Sequence, residues 1–484
     1  MQRDCLTRRN FLKTVAGGAA LAISGCFGSR SSANSNRKDK PNIIYIMADD
    51  LGYGDLGCYG ATKIRTPNID SLAKQGIRLT DAHTPSAVCS PTRYGVLTGR
   101  YCWRGRLKKE VLWSGYDRCL IEPHRKTIGN MMQESGYRTA QIGKWHLGWG
   151  DTEPVDYSKG YLGRGPKDLG FGYSFVTAAA QNLFPLTFVE NHKIISKLKP
   201  MDYYVHDPKV KKRPQNVLEW HKSHDKGPSV IAEDWQPYHV DKIYTDKAIR
   251  FITEHVNKKS HQPFYLHLTP ETTHRPNIMP EFMRGTSQAG MRGDHIQLFD
   301  WMVGQIVKTI KELKVDQNTL IIVTSDNGPT NGGIDGTFGH ESAGKLRGYK
   351  WSIWDGGHRV PFIARWPGKI KPATESDTMI CLTDMMATFA AITDYKLSSE
   401  MGEDSFNAFD VLLGKTEPIR DSIIHHDSSG NFAIRKGPWK LVGSKLFNIK
   451  QDIKESRDLA KENPQIVTEL KKLLAQQRKN NRTK

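Results

Sequence analysis

From Asn42 the chain runs Ile-Ile-Tyr-Ile-Met47 without a polar break and stops at Ala48-Asp49-Asp50. A short β-branched run with so abrupt a polar end predicts a strand buried on both faces. The same texture returns at Phe264–Leu268, Leu320–Thr324 and Val360–Trp366, and Thr139–Gly143 reads as the end of another strand. Helical patterns lie between them. Thr66–Gly76 opens on Thr-Pro and closes on a glycine, and Tyr238–Val256 and Asp294–Leu313 carry amphipathic spacing. Apolar strands alternating with helices predict an α/β sandwich around a large, mostly parallel sheet. Residues 181–235 break the alternation and read as an irregular insertion that shapes a pocket. Past about residue 400 the pattern shortens to Asn431–Arg435 and Trp439–Val442, followed by one helix over Pro464–Arg478. That predicts a small appended α+β domain.

The first forty residues differ in kind. Thr7-Arg-Arg-Asn-Phe-Leu-Lys13 has a twin-arginine export pattern, and the apolar stretch Val15–Ile23 is too short to span a bilayer. Ile23-Ser-Gly-Cys26 looks like a lipobox, at which cleavage and lipidation of Cys26 would tether the protein to a membrane. The expected division is therefore 1–25 signal, 26–40 polar tether, 41–400 catalytic domain and 401–484 small C-terminal α+β domain. The expected location is periplasmic or at the cell surface of a bacterium, after twin-arginine export. Net charge is +19, of which residues 1–40 and 471–484 contribute six each, leaving a mildly basic body of +7. Such a body suits an anionic ligand. No basic stripe interleaved with aromatics appears, so a nucleic-acid partner is not expected. Of seven cysteines, Cys102 and Cys119 are the pair that an oxidising compartment would allow to bridge.

Chemistry concentrates at strand ends. Asp49-Asp50 and Asp326-Asn327 both follow central strands, at the sheet edge where open α/β folds bind ligands. Three carboxylates and an amide so placed repel one another unless they cap turns or share a hard cation, and oxygen-only ligation favours Ca²⁺ or Mg²⁺ over zinc. Gly52-Tyr-Gly-Asp-Leu-Gly57 imitates a dinucleotide fingerprint, but paired aspartates at the strand tip would face a pyrophosphate of like charge. A cationic set accompanies them: Arg93, Arg100, Lys144, His146, His274 and Lys350. Cys89 stands alone among small polar residues, with no CxxC partner.

The segment CSPTRYGVLTGR (89–100) resembles the C-x-P-x-R-x-x-x-L-T-G-R motif of the type I sulfatases of the alkaline-phosphatase superfamily. ADDLGYGDLGCYG, GKWHLG, TTHRP, TSDNGP and LRGYKWSIWDGGHRVP match in the family's order, from about Pro41 to Trp366. GHESAGKLRGYKWSIWDGGHRVP and GEDSFN (402–407) are similar to blocks in bacterial relatives of arylsulfatase A and N-acetylgalactosamine-6-sulfatase. The resemblance implies an alkaline-phosphatase-like fold and oxidation of Cys89 to Cα-formylglycine by a maturase, before folding and export. It implies a Ca²⁺ site, with Mg²⁺ the lesser alternative, formed by Asp49, Asp50, Asp326, Asn327 and modified Cys89. Arg93 and Lys144 would hold the formylglycine, and His146, His274 and Lys350 would surround the sulfate, with Lys144, His274 and Lys350 contacting substrate. A hydrated aldehyde offers one oxygen to attack sulfur in line while the cations neutralise the sulfate oxygens. His274 would protonate the departing sugar oxygen, with Lys350 assisting. His146 would take the second hydroxyl's proton so that sulfate leaves by C–O cleavage. The expected substrate is a sulfated oligo- or polysaccharide, with a lean toward 6-O-sulfate of N-acetylgalactosamine or a related sugar. The alternatives are a phosphonate or phosphodiester hydrolase of the same superfamily, and a non-catalytic lipoprotein that binds sulfated glycans.

Overall fold

The computed structural model describes residues 40–201, 226–258, 261–331 and 338–484. The expected export signal, Cys26, nearly all of the expected tether and much of the 181–235 insertion lie outside them. Lys40–Lys484 form one compact unit.

A ten-stranded sheet organises it. Across the sheet the order is Thr374–Ser376, Ile77–Leu79, Phe362–Arg365, Thr319–Ser325, Asn42–Ala48, Phe264–Thr269, Arg138–Lys144, Tyr173–Thr177, Phe188–Glu190 and Lys193–Ile194. The five strands from Thr319–Ser325 to Tyr173–Thr177 are mutually parallel, whereas Phe362–Arg365 pairs antiparallel with both its neighbours. The expected α/β sandwich is present, and its sheet is mixed at both flanks. In the central strand, Ile43, Tyr45 and Met47 pack into one apolar cluster and Ile44, Ile46 and Ala48 into another. This alternation explains the unbroken apolar run, because both faces are covered. Helices Val240–Asn257 and Gly290–Glu312 cover the second face through Tyr244, Phe251, Phe299 and Ile306.

The insertion contains short strands at Phe188–Glu190, Lys193–Ile194, Leu198–Pro200 and Val230–Ala232, too brief to show a two-residue period. Cys102 and Cys119 are separate free thiols within one apolar cluster, so the bridge that their compartment would allow is not formed.

The C-terminal region is a four-stranded antiparallel meander, Ser422–Asn448, packed by Leu470 of helix Pro464–Lys479 against Ile434, Leu441 and Leu446. It grips the body built on the large sheet through buried polar groups. Lys440 Nζ reaches Asp355 Oδ1 at 2.7 Å, the Ile353 carbonyl at 3.2 Å and Glu455 Oε1 at 2.7 Å. Glu455 Oε2 accepts the Asp355 backbone N–H at 2.8 Å. Beside them His425 stacks on His358 at 3.8 Å, and His358 Nδ1 meets His83 Nδ1 at 3.0 Å. Burial holds all three imidazoles below their ordinary pKa, so they pack as neutral rings. Among the described residues no helix is long and apolar enough to cross a membrane.

Candidate active site

The helix Cys89–Thr98 begins on Cys89 itself, after an extended Val88, and all its residues are buried. Its first turn therefore aims free N–H groups and the positive end of the helix at residue 89. Cys89 Sγ lies 3.5 Å from Asp49 Oδ1. Burial, reinforced by Asp49, pushes this thiol well above its usual pKa. An unmodified Cys89 thus stays protonated at neutral pH and is a poor nucleophile.

Neighbouring parallel strands pair Ala48 with Ser325, so both acidic dipeptides emerge at one edge. Asp326 Oδ1 accepts the Asp50 N–H at 3.2 Å, and Asn327 Nδ2 donates to Asp50 Oδ1 at 2.7 Å. Arg93, one helical turn after Cys89, donates to Asp326 Oδ2 from Nε at 3.0 Å and Nη2 at 2.7 Å. Its Nη1 donates to the Lys144 carbonyl at 2.8 Å. Lys144 Nζ meets Asp49 Oδ2 at 2.5 Å and Lys350 Nζ meets Asp50 Oδ1 at 2.5 Å. His274 Nε2 is 3.9 Å from Asp50 Oδ2, while its Nδ1 bonds the Arg275 carbonyl at 2.6 Å. His146 places Nε2 on the Leu112 carbonyl at 2.7 Å and leaves Nδ1 buried with no hydrogen-bond partner. The structure therefore gathers all ten sequence-predicted site residues at one edge. Arg100 belongs elsewhere: it pairs with Glu403 at 3.4 Å.

The donor set fits a hard divalent cation. Asn327 Oδ1 is buried with no partner, and one ligand atom from each of Asp49, Asp50, Cys89 and His274 lies within 4.8 Å of the others. Burial, reinforced by the Asp49 charge, pushes the Asp326 carboxyl above its usual range despite Arg93 and Lys144. Burial also opposes ionisation of Asp49, yet Lys144, His274 and Arg93 overcome it and hold that carboxyl well below its usual range. Asp49, Asp50 and Asp326 balance Arg93, Lys144 and Lys350. A divalent ion would leave the site two charges positive, complementary to an incoming sulfate ester.

Sequence reading missed the support behind this edge. Asp55, inside the dinucleotide-like glycine run, is clasped by Arg292 at 3.0 and 2.6 Å and by His340 at 2.8 Å. Arg292 Nη2 also donates to the Asp50 carbonyl at 3.0 Å, and Thr273 Oγ1 donates to the same oxygen at 3.1 Å. No local motif marks a lone arginine some 240 residues from its partner. Burial opposes ionisation of Asp55, but Arg292 and His340 prevail and keep its carboxyl far below the usual range. Its stabilisation is thus present above the unfolded carboxylate pKa of about 3.9 and is lost as pH falls below it. Asp55→Ala should cost about 3–5 kcal/mol in a denaturant titration at pH 7, because it takes the Asp55 carboxylate from a buried guanidinium. A loss below about 1 kcal/mol would show that the clasp carries little.

Comparison with known proteins agrees with this arrangement. The family model described as Sulfatase matches residues 41–395. An N-acetylgalactosamine-6-O-sulfatase of Bacteroides thetaiotaomicron is 34% identical over 94% of this chain and 96% of its own length. Human arylsulfatase A is 31% identical over 83% of this chain and 74% of its own. A solved structure from work on the metabolism of multiple glycosaminoglycans by Bacteroides thetaiotaomicron superposes with a TM-score of 0.82 at 32% identity. That superposition covers 91% of this chain and 100% of the other. Extended over most of the chain and joined to the clustered residues at the sheet edge, this similarity establishes that the chain belongs to the sulfatase family, the type I enzymes of the alkaline-phosphatase superfamily, and is a sulfuric ester hydrolase.

Proposed function

We propose that this protein removes an O-sulfate from a sulfated carbohydrate, the 6-O-sulfate of N-acetylgalactosamine or a related sugar in a polysaccharide. The observation that carries the reading is Cys89 at a helix N-terminus against Asp49, with Arg93, Lys144 and Lys350 paired to the neighbouring carboxylates of Asp326, Asp49 and Asp50. The sugar rests on the similarity to the N-acetylgalactosamine-6-O-sulfatase. Asp49, Asp50, Asp326 and Asn327 would hold Ca²⁺, which would polarise the ester's sulfate oxygens. Cα-formylglycine at position 89 would, once hydrated, supply the oxygen nucleophile and let sulfate leave by C–O cleavage.

The chain's own residues do the remainder. Lys144 and Lys350 neutralise charge on the sulfate oxygens, and Arg93 fixes the helix start through Asp326 and the Lys144 carbonyl. His146 donates Nε2–H to Leu112, so its bare, unpartnered Nδ1 is the lone pair that accepts a proton from residue 89. His274 donates Nδ1–H to Arg275, which leaves Nε2 facing the site. Burial and Lys350 lower this imidazole to about 4 in the free protein. The negative ester, once bound, favours the imidazolium that protonates the departing sugar oxygen. Residues 1–25 would direct twin-arginine export after a maturase has converted Cys89. Lipidated Cys26 and residues 26–40 would tether the catalytic domain (41–400) and the C-terminal domain (401–484) outside the cytoplasm.

Protein co-expressed with a formylglycine-generating maturase should cleave 6-O-sulfated N-acetylgalactosamine and an aryl sulfate in preference to an aryl phosphodiester. EGTA should lower turnover about a hundred-fold, with recovery on adding Ca²⁺. A preference for the phosphodiester would reassign the chemistry, and absence of turnover with full glycan affinity would make the protein a binding lipoprotein.

A further inference from the structure

On the flank of the molecule the turn Cys102–Arg104, the turn 427–430 and the last helix enclose a cleft of 760 Å³. Arg104, Lys108, Lys109, Arg478 and Lys479 line it, and among the described residues no acidic side chain does. Arg104 is neutralised from behind by Asp404 at 2.8 Å, and Lys108 Nζ donates to the Trp103 carbonyl at 2.7 Å. Asp427, nearby, is turned inward to accept the Ser429 and Asn431 N–H groups. Arg478 lies 4.1 Å over the Phe432 ring. Among the described residues, Lys109, Arg478 and Lys479 have no carboxylate partner. Cations gathered around an acid-free concavity raise the local concentration of anions.

The cleft is joined to the catalytic edge by packed backbone. Glu110 donates its N–H to the Ser428 carbonyl at 2.7 Å, and Ser428 donates N–H at 3.2 Å and Oγ–H at 3.1 Å to the Trp351 carbonyl. Trp351 follows Lys350 directly, and Lys350 Nζ sits 5.1 Å from its ring. Trp351 keeps φ at 81°, a strained value for a bulky side chain, and is 38% exposed. Its indole stacks on Trp113 at 5.6 Å and 15°. The pair, Trp351 exposed and Trp113 half-buried, offers a flat apolar face that suits the carbon face of a pyranose.

We propose that the cleft is a second, non-catalytic subsite. It holds a further anionic group, sulfate or uronate, of the same glycan whose sulfate ester is presented to residue 89, with Trp113 and Trp351 supporting the intervening sugar. This rests on the sulfatase reading above. The polymer is favoured as occupant over lipid headgroups or nucleic acid because Ser429 of the cleft wall adjoins Ser428, which bonds the Trp351 carbonyl next to Lys350.

The test compares the full chain with its Lys109→Ser/Lys479→Ser variant, both positions being exposed and, among the described residues, outside any ion pair. Calorimetric titration with chondroitin 6-sulfate at several salt concentrations should show affinity about ten-fold weaker in the variant and a shallower salt dependence. Turnover of an aryl sulfate, too small to reach the cleft, should stay within about two-fold. Desulfated chondroitin separates the sources: a retained ten-fold effect assigns the cleft to carboxylate, and a lost one to sulfate. Unchanged affinity for the polymer overturns the proposal, as does a variant that loses only retention on phosphatidylglycerol vesicles. The parent reading fails separately: weakened polymer affinity in a protein that cleaves no sulfate ester keeps the subsite and removes the enzyme.

Discussion

Cys89→Ala should lower turnover of sulfate esters by about four orders of magnitude or more while leaving the melting temperature nearly unchanged. The two halves of that result have different causes. Sγ makes one long contact, 3.5 Å to Asp49, whose other oxygen remains paired with Lys144. Removing it therefore deletes a single sulfur from an otherwise satisfied cluster, a loss of about 1 kcal/mol or less. Lys144, Lys350, Arg93 and the histidines persist, so substrate still binds. Under the proposed mechanism, what vanishes is the atom that attacks sulfur. Steady-state kinetics on a variant shown to be folded by circular dichroism reads both halves. Turnover above about one per cent of the parent would place the nucleophile elsewhere.

Lys440→Met should be the most damaging substitution outside the catalytic edge. Lys440 is wholly buried between Asp355 and Glu455 and also touches the Ile353 carbonyl. Methionine fills the volume but leaves two carboxylates without their cation, which costs about 3–5 kcal/mol. The sign of the pH dependence is diagnostic. Burial already raises Glu455 against the pull of Lys440. Without that lysine its folded pKa rises further above the unfolded value of about 4.3. Stability is then fully present below that value and is lost as pH rises through the folded pKa, so the variant should melt higher at pH 5 than at pH 8. Activity should fall as well, because Asp355, whose N–H is held by Glu455, lies five residues after Lys350. Melting curves that coincide with the parent's at both pH values would refute this account.

Much of the catalytic edge is readable in the chain because its parts are short and local. Strands buried on both faces must be apolar throughout, so Ile43–Met47 and Leu320–Val323 announce themselves, and the acids that end them mark the sheet edge. Cys89 and Arg93 are one helical turn apart, and Lys144 and His146 share a strand end. Other features have no such local signature. The antiparallel turn of Phe362–Arg365 depends on which neighbours it meets. The hold of Leu112 on His146 uses a carbonyl that any residue carries. The clasp of Asp55 by Arg292 joins distant segments, and the glycines around Asp55 suggest a different function. Trp113 and Trp351 stack across 238 positions, and nothing near either predicts the other.

The meander at the end of the chain shares its buried charges with the loop that carries Lys350, so the two cannot be exchanged independently between homologous enzymes. A chimera that takes only the terminal sheet from a relative would mismatch donors and acceptors beneath the Lys350 loop. Grafts intended to transplant specificity should therefore cross over upstream of residue 346, carrying lysine loop and cap as one cassette.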